Sequence, residues 1–205
     1  MIVSGTDGQT ALFADAVIGP KRPLLKWAGG KSQLMAVLHR AMPREFSRYA
    51  ELFFGGGALF WSLGLPGSLV ADSNPELMNF YEVVRDAPKE LLAAVRGLPI
   101  TKDDYYRIRR LRPGKLTGLD RAARFVYLNK TCYNGLYRVN RDGQFNTPFG
   151  GRTDVAVLDE QDVQAASSLL RVPIRMPREP RCDQNGLNAR KGDEAAPERR
   201  CGEEP

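Results

Sequence analysis

The feature that most constrains this chain is a run of three glycines where a strand is predicted to turn into a helix. The segment Glu51-Leu52-Phe53-Phe54-Gly55-Gly56-Gly57-Ala58 leads from an apolar run into a helical pattern. Glycines at such a point let the backbone turn sharply and approach a ligand closely. A nicotinamide site would need the spacing G-x-G-x-x-G, but Phe60 stands at the third glycine position. We therefore expect either a ligand site that is not for NAD or a purely structural turn.

The elements around this turn alternate between strands and helices, which is typical of a parallel sheet flanked by helices. Strands are predicted over 49–53 and 68–72, and helices over 31–41, 58–63, 74–85 and 88–96. The predicted fold class is therefore α/β. Asp72 ends the second strand, where this architecture holds a carboxylate able to accept both hydroxyls of a nucleoside ribose. Its alternative role is to cap the next helix, although Asn74 is better placed for that.

Residue types exclude several other chemistries. The triplet Gly30-Lys31-Ser32 suggests a P-loop, but Leu25 occupies the place of the first P-loop glycine. The single histidine, His39, is interpreted as a helix-face residue and leaves no Ser-His-Asp triad. The three cysteines are far apart and form no C-x-x-C pair, so we expect free thiols and no metal site.

Positive charge is concentrated in one region of the chain. Residues 101–152 hold 12 lysines and arginines against four aspartates, a net of +8, while the whole chain has +6. Helices are predicted over 103–111 and 119–132, and a hairpin is predicted around Asp142-Gly143. Aromatic residues lie between the charges, which favours a surface that binds a polyanion. A solvated helical face is the alternative explanation for part of this charge.

The two ends of the chain carry little folding signal. Residues 172–205 include five prolines, no aromatic residue and equal numbers of acidic and basic residues, so we predict a disordered tail. Residues 1–22 are interpreted as a loosely ordered extension. No apolar run approaches the roughly 18 residues of a membrane span, and no segment reads as a secretory signal, so we expect a cytoplasmic protein without membrane contact.

Four segments in order resemble the Dam-like family of DNA adenine methyltransferases: LLKWAGGK, ELFFGGGALF, ADSN and LNKTCYNGLYRVNRDGQFNTPFG. The likeness covers roughly residues 23–170. It implies a Rossmann-like, S-adenosylmethionine-dependent methyltransferase sheet with a helical and β-hairpin DNA-recognition insertion. The implied reaction is methyl transfer from S-adenosylmethionine to the exocyclic amine of adenine in duplex DNA. Such enzymes belong to bacterial or phage modification systems, so a cognate restriction endonuclease is an implied partner.

The resemblance also implies roles for individual residues. The implied cofactor contacts are Trp27, Lys31, Phe53, Gly55, Gly57 and Asp72. The positions that match DNA contacts are Lys26, Tyr133, Asn134, Leu136, Arg138 and Pro148. Tyr137 departs from the small residue that is usual in the family. The implied division of the chain is 1–22 extension, 23–100 cofactor-binding part, 101–152 DNA target-recognition region, 153–171 return helix and 172–205 tail outside the family pattern.

The tetrapeptide D-P-P-Y, with which the family performs the transfer, occurs nowhere in the 205 residues. In the family its Asp oxygen and a Pro carbonyl accept the two hydrogens of the adenine amine, and its Tyr stacks on the extruded base. We therefore name no catalytic residue and expect little or no activity from this chain. The family pattern is lost near Arg171, which suggests a frameshifted or truncated coding sequence. The alternatives are a non-catalytic DNA-binding remnant and a non-functional gene fragment.

Overall fold

The strands form one small sheet in a computed structural model, which describes residues 2–4, 19–21, 23–43, 46, 48–65, 67–171 and 174–175. They are β1 (Ile2–Ser4), β2 (Arg48–Glu51), β3 (Leu69–Ala71) and β4 (Ile174–Arg175), and they lie side by side in that order. β2, β3 and β4 run parallel to one another, whereas β1 is antiparallel to β2. The predicted parallel sheet is thus present, with an antiparallel strand added at one edge.

The two outer strands correct the predictions for the chain ends. The prediction of disorder for residues 172–205 is wrong for β4, which pairs with β3. The prediction of a loosely ordered extension is wrong for β1, which pairs with β2. Strands of two or three residues are too short to show an alternating pattern, and their stability comes from hydrogen bonds to the neighbouring strand. Residues 5–18 and 176–205 lie outside the described part of the chain.

Seven α-helices accompany the sheet in the described residues. They are α1 (Met35–Ala41), α2 (Ala58–Leu63), α3 (Pro75–Asp86), α4 (Pro88–Arg96), α5 (Lys102–Arg110), α6 (Gly118–Thr131) and α7 (Glu160–Leu169). The predicted helix over 31–41 begins as a 3-10 turn over Lys31–Leu34 before α1. Side chains of Asn74, Thr101, Thr117 and Asp159 cap α3, α5, α6 and α7 by accepting backbone N–H groups. The helices predicted over 58–63, 74–85, 88–96, 103–111 and 119–132 agree with the structure to within about two residues, whereas the return helix expected over 153–171 is limited to Glu160–Leu169.

The core is organised around α6, which packs against α3, α4 and α5. Nine of its 14 residues are buried, so this helix is covered on nearly all sides. Three tyrosines with fully buried rings satisfy their hydroxyl groups by donating to backbone carbonyls. Tyr81 donates to Gly55 and Tyr127 to Pro99. The third, Tyr105, donates to Thr147 over a distance of 2.8 Å.

A buried arginine joins α5 to α6. The guanidinium of Arg124 donates to the carbonyls of Ile108 and Arg109, which lie at the end of α5. Burial lowers the pKa of Arg124 below its ordinary value. The Ile108 carbonyl also accepts the N–H of Leu111, so the arginine adds a second bond there and gives the Arg109 carbonyl a partner at the end of α5. Arg124 therefore fastens α5 to α6 within the basic region.

The predicted hairpin is present as a tight turn whose two arms are joined by isolated β-bridges. Gly143 has a φ of 71°, and its N–H donates to Asn140. Val139 and Phe145 form an isolated antiparallel bridge. The positive φ expected of the Asp-Gly pair is confirmed at Gly143 but not at Asp142, since Asn134 is the one non-glycine residue with a positive φ among the described residues. Within the described residues, no helix is long and apolar enough to cross a membrane.

Candidate cofactor and DNA-binding site

The glycine loop that follows β2 has a backbone only glycine adopts without strain. Gly55 and Gly57 have φ values of 54° and 71°. A Cβ on Gly55 would lie 2.9 Å from Cδ1 of Trp27, and one on Gly57 would lie 2.5 Å from Nε1 of Trp61. Trp61 in turn donates to the carbonyl of Gly56 over 2.8 Å. Both tryptophan rings therefore fill the space that a side chain on the loop would need.

Asp72 follows β3 and braces the same loop. One carboxylate oxygen accepts the N–H of Gly55 at 2.9 Å, and the other accepts the N–H of Asn74 at 3.0 Å. Asn74, not Asp72, caps α3, because its own Oδ1 accepts from Glu76 and Leu77. The strands β2 and β3 are parallel neighbours, so their carboxyl ends meet at one edge of the sheet, where ligands bind in open α/β sheets. Asp72 keeps further acceptor capacity on each oxygen.

An ion pair between the half-buried Lys31 and the buried Glu51 lies beneath the loop. Nζ of Lys31 donates to Oε1 of Glu51 and to the carbonyl of Phe53, both at 2.7 Å. Glu51 is only 2% exposed, and its second oxygen accepts the hydroxyl of Tyr49 at 2.9 Å. Burial and the neighbouring Glu51 raise the pKa of Tyr49 above its ordinary value. Lys31 is thus anchored between the sheet and the loop.

All six residues that the sequence assigned to the cofactor line one cavity, here named the glycine-loop cavity, of about 280 Å³. They are Trp27, Lys31, Phe53, Gly55, Gly57 and Asp72. The side chain of Phe53 is 76% exposed, so it lies at the surface rather than in the core. The structure therefore brings the six residues together, while their role in binding stays a prediction.

A second cavity of about 650 Å³, here named the lysine cavity, adjoins the first. Lys26, Tyr133, Asn134 and Leu136 line it, which are four of the six residues assigned to DNA. The glycine-loop and lysine cavities share five lining residues: Trp27, Ala28, Gly30, Gly56 and Ala58. Trp27 has the largest of the shared side chains, and because it lines both spaces it is here named the Trp27 wall.

The other two residues assigned to DNA lie beside the lysine cavity on the hairpin. Arg138 is exposed, and its Nε donates to Oδ1 of Asn146 at 2.7 Å. Pro148 is exposed as well, and its carbonyl accepts the N–H of Tyr133 at 2.9 Å. Both residues therefore face the surface next to the loop that carries Tyr133.

Two residues of α6 belong to this site although the sequence reasoning did not assign them. Asn129 is 1% exposed. Its amide accepts the N–H of Lys26 at 2.9 Å, and it donates to the carbonyls of Lys26 at 2.7 Å and Gly135 at 3.3 Å. It thereby fastens the segment before Trp27 to the loop that carries Tyr133. The sequence did offer one signal for Asn129, which is an amide side chain among the apolar residues of a buried helix.

The second residue is Lys130, which lines the lysine cavity. Its pKa is lowered by burial and by the charge of Lys26, while Asp162 acts in the opposite direction. Among the described residues, none forms a hydrogen bond or an ion pair with its Nζ. Two amino groups at one cavity create a positive potential that an anion would relieve. Nothing in the sequence alone showed that Lys26 and Lys130 converge.

Some of the basic residues of 101–152 stabilise the fold through contacts within the protein. Arg109 donates to the carbonyls of Asn146 and Thr147 and lies over the ring of Tyr106 at 4.8 Å. Arg121 pairs with Glu76, and Arg124 is buried. Other basic residues of 101–152 are exposed: Lys102, Arg107, Arg110, Arg112, Lys115, Arg138, Arg141 and Arg152. A positive surface therefore remains. The described residues contain no group of three metal-ligating side chains.

These features define an α/β protein in which a glycine-loop cavity adjoins a cavity lined by lysines and an exposed tyrosine. Residues 27–172 match the family of D12 class N6 adenine-specific DNA methyltransferases, and the chain belongs to this family. The resemblance seen in the sequence is thereby confirmed.

Named relatives agree with this family. The chain is 36% identical over 171 residues to the type II methyltransferase M.MjaIII of Methanocaldococcus jannaschii, covering 73% of this chain and 59% of the relative. It is 35% identical over 155 residues to the type II methyltransferase M1.LlaDCHI of Lactococcus lactis, covering 73% and 55%. It is 34% identical over 134 residues to the DNA adenine methylase of Haemophilus influenzae, covering 63% and 47%. The chain thus spans about half to three fifths of the length of these relatives.

Proposed function

We propose that the chain binds S-adenosylmethionine in the glycine-loop cavity and duplex DNA over the lysine cavity and the basic region, as part of an adenine-specific DNA methyltransferase. The observation that carries this proposal is the shared wall at Trp27, which makes the two cavities neighbours. Methyl transfer requires the donor and the acceptor base to meet, and adjoining cavities provide such a meeting point. The proposal includes a Rossmann-like sheet, with residues 101–152 as its recognition insertion.

The residues of the glycine-loop cavity suit a nucleoside cofactor. Gly55 and Gly57 give the loop its positive-φ turn beside the cavity, and Asp72 retains lone pairs for the hydroxyls of a ribose. Lys31 would hold the loop through its contact with the carbonyl of Phe53. When bound, S-adenosylmethionine supplies an activated methyl group on a sulfonium. This chain's residues would hold and orient it.

The residues around the lysine cavity suit a DNA strand. The exposed positive side chains of 101–152 would contact phosphates, which gives affinity without sequence preference. Tyr133 is 56% exposed and Leu136 is 39% exposed, and such side chains can stack on or wedge between bases. Arg138 would contribute to base reading. Lys26 and Lys130 would neutralise a phosphate beside a displaced base, and the whole complex would act in the cytoplasm.

We further propose that the 205-residue polypeptide binds both ligands but transfers methyl groups slowly. The sequence contains no D-P-P-Y to accept the hydrogens of the adenine amine. Loss of one group aimed at a transition state typically lowers the rate by about a hundred- to a thousandfold. The remaining residues would bind the substrates. Binding that is equally strong in the ground state and in the transition state does not raise the rate of the chemical step. A non-catalytic DNA-binding protein is therefore the second candidate, and a partner endonuclease would belong to either.

The test combines binding and transfer on one preparation. Calorimetry with S-adenosylmethionine and fluorescence anisotropy with duplex DNA measure binding, and labelled methyl groups on adenine-containing duplex measure transfer. We expect both ligands to bind and labelling to stay near background. Rapid labelling that disappears in Asp72→Ala would contradict the expected slow transfer. Absence of binding to both ligands would overturn the proposed function.

A further inference from the structure

One ring of the recognition loop packs against the wall between the two cavities. Tyr137 stacks on Trp27 with ring centroids 5.5 Å apart and an angle of 26° between the ring planes. On its loop side the indole meets Gly55, because a Cβ there would lie 2.9 Å from its Cδ1, and a Cβ on Gly56 would lie 3.5 Å from the Cβ of Trp27. The Trp27 ring is therefore held between the glycine loop and Tyr137.

Tyr137 itself lines neither the glycine-loop cavity nor the lysine cavity. It is half-buried and packs against Phe125 at 5.5 Å and Phe145 at 5.6 Å, so its ring is fixed from several sides. Burial raises its pKa above the ordinary value, which keeps the hydroxyl neutral. Its chain neighbours Leu136 and Arg138 are residues that the proposed function assigns to DNA. A displacement of this loop by DNA would therefore reach the indole through Tyr137.

Resting on the proposed function, we propose that Tyr137 is a positioning residue that holds the Trp27 wall in place and thereby couples cofactor binding to DNA binding. A ligand in either cavity would add contacts to the Trp27 wall and favour the stacked arrangement, so that the second ligand meets this wall already in place. Asn129 supports the same link, because it fastens the backbone on one side of Trp27 to Gly135. The coupling is reciprocal, as linkage requires.

The experiment measures the affinity for S-adenosylhomocysteine, by calorimetry, with and without saturating duplex DNA. Wild type should bind at least about fivefold more tightly with DNA present. Tyr137→Leu keeps apolar volume but removes the stack, and it should lose this enhancement. Tyr137→Phe keeps the ring and should retain it. Val83→Ala is the control for loss of packing, because Val83 is half-buried, lies on α3 outside residues 101–152 and lines neither cavity.

The possible outcomes separate this inference from the function on which it rests. If wild type binds both ligands without enhancement, or if Tyr137→Leu keeps the full enhancement, the inference is overturned and the proposed function stands. If wild type binds neither ligand, both fail.

Should Tyr137→Leu not fold, tryptophan emission of wild type provides the second measurement. The chain has two tryptophans, Trp27 and the 8% exposed Trp61. DNA should change the emission, and an unchanged spectrum at saturation would overturn the inference.

Discussion

The glycine-loop cavity and the lysine cavity share a wall but are built by different means. The first is lined largely by backbone, with three positive-φ glycines (Gly29, Gly55 and Gly57), a carboxylate on a loop amide and an ion pair to the buried Glu51. The second is formed by side chains from α6, from the loop after it and from the segment before Trp27. The comparison teaches that the first cavity tolerates little change in shape, whereas the second depends mainly on charge and on aromatic surface.

The sharpest test of this difference adds one methyl group to the glycine loop and, separately, one to the hairpin. Gly57→Ala places a Cβ 2.5 Å from Trp61 and 2.7 Å from Phe54, whereas a Cβ on Gly143 of the hairpin meets no atom within 4 Å. Both positions have a φ of 71°. We expect Gly143→Ala to cost about 1–2 kcal/mol and Gly57→Ala about 2–5 kcal/mol, because crowding adds to the same backbone strain. Urea unfolding measures both, and equal losses would break the comparison.

The same contrast can be tested by removing one cation beneath the glycine loop and, separately, one exposed cation of the basic region. Lys31→Met leaves Glu51 buried with only the hydroxyl of Tyr49 as a partner, which we expect to cost about 1–3 kcal/mol of unfolding free energy. The matched change is Arg152→Met, since Arg152 and Asp154 form an exposed pair at 3.4 Å. Such pairs contribute little. Thermal unfolding should show a lower midpoint for Lys31→Met alone.

Cofactor affinity should depend on the first cavity. Asp72→Ala removes a charged acceptor at the edge of the sheet, and we expect it to weaken S-adenosylmethionine binding by about 1–3 kcal/mol. Calorimetry without DNA measures this. Asp86→Ala is the control, because Asp86 lies at the end of α3 with 61% of its side chain exposed and pairs with Arg85. Equal affinity for the two variants would remove Asp72 from the proposed site.

The smallest effects are expected for DNA binding, because many charged side chains each contribute a small part of the affinity. Arg110→Ala should lower affinity for all duplexes and reduce the slope of log K against log salt concentration by about 1. Arg138→Ala should mainly relax sequence preference. Lys89 is exposed on α4 outside the basic region, so Lys89→Ala should leave the slope unchanged. Anisotropy titrations at several salt concentrations compare the three. Binding that does not vary with salt would contradict the electrostatic account.

Local signals made much of the fold predictable. The start of α3 follows from Asn74 as a cap and a proline directly after it, and α4 begins at a second proline. The glycine loop was recognisable because its glycines are neighbours in sequence. The strands β1 and β4 were missed, since their two or three residues are defined only by the strands they pair with.

The same reasoning explains which site residues were missed. Glu51 lies inside the strand predicted over 49–53, and its role is seen only when Lys31, 20 residues earlier, is found to donate to it. Asn129 and Lys26 are 103 residues apart, and only the fold shows that the amide pairs with that backbone. Lys130 becomes notable because the fold brings it to the same cavity as Lys26. Long-range contacts of this kind leave no periodic trace in the sequence.

The central claim is that two different ligands occupy the two sides of Trp27, and hydrogen exchange followed by mass spectrometry tests it most directly. S-adenosylhomocysteine should slow amide exchange in residues 53–57 and 72–74, and duplex DNA should slow it in residues 133–148. Protection of each segment by its own ligand is the result that the account expects. Protection confined to other segments, or none with either ligand at saturation, would contradict it.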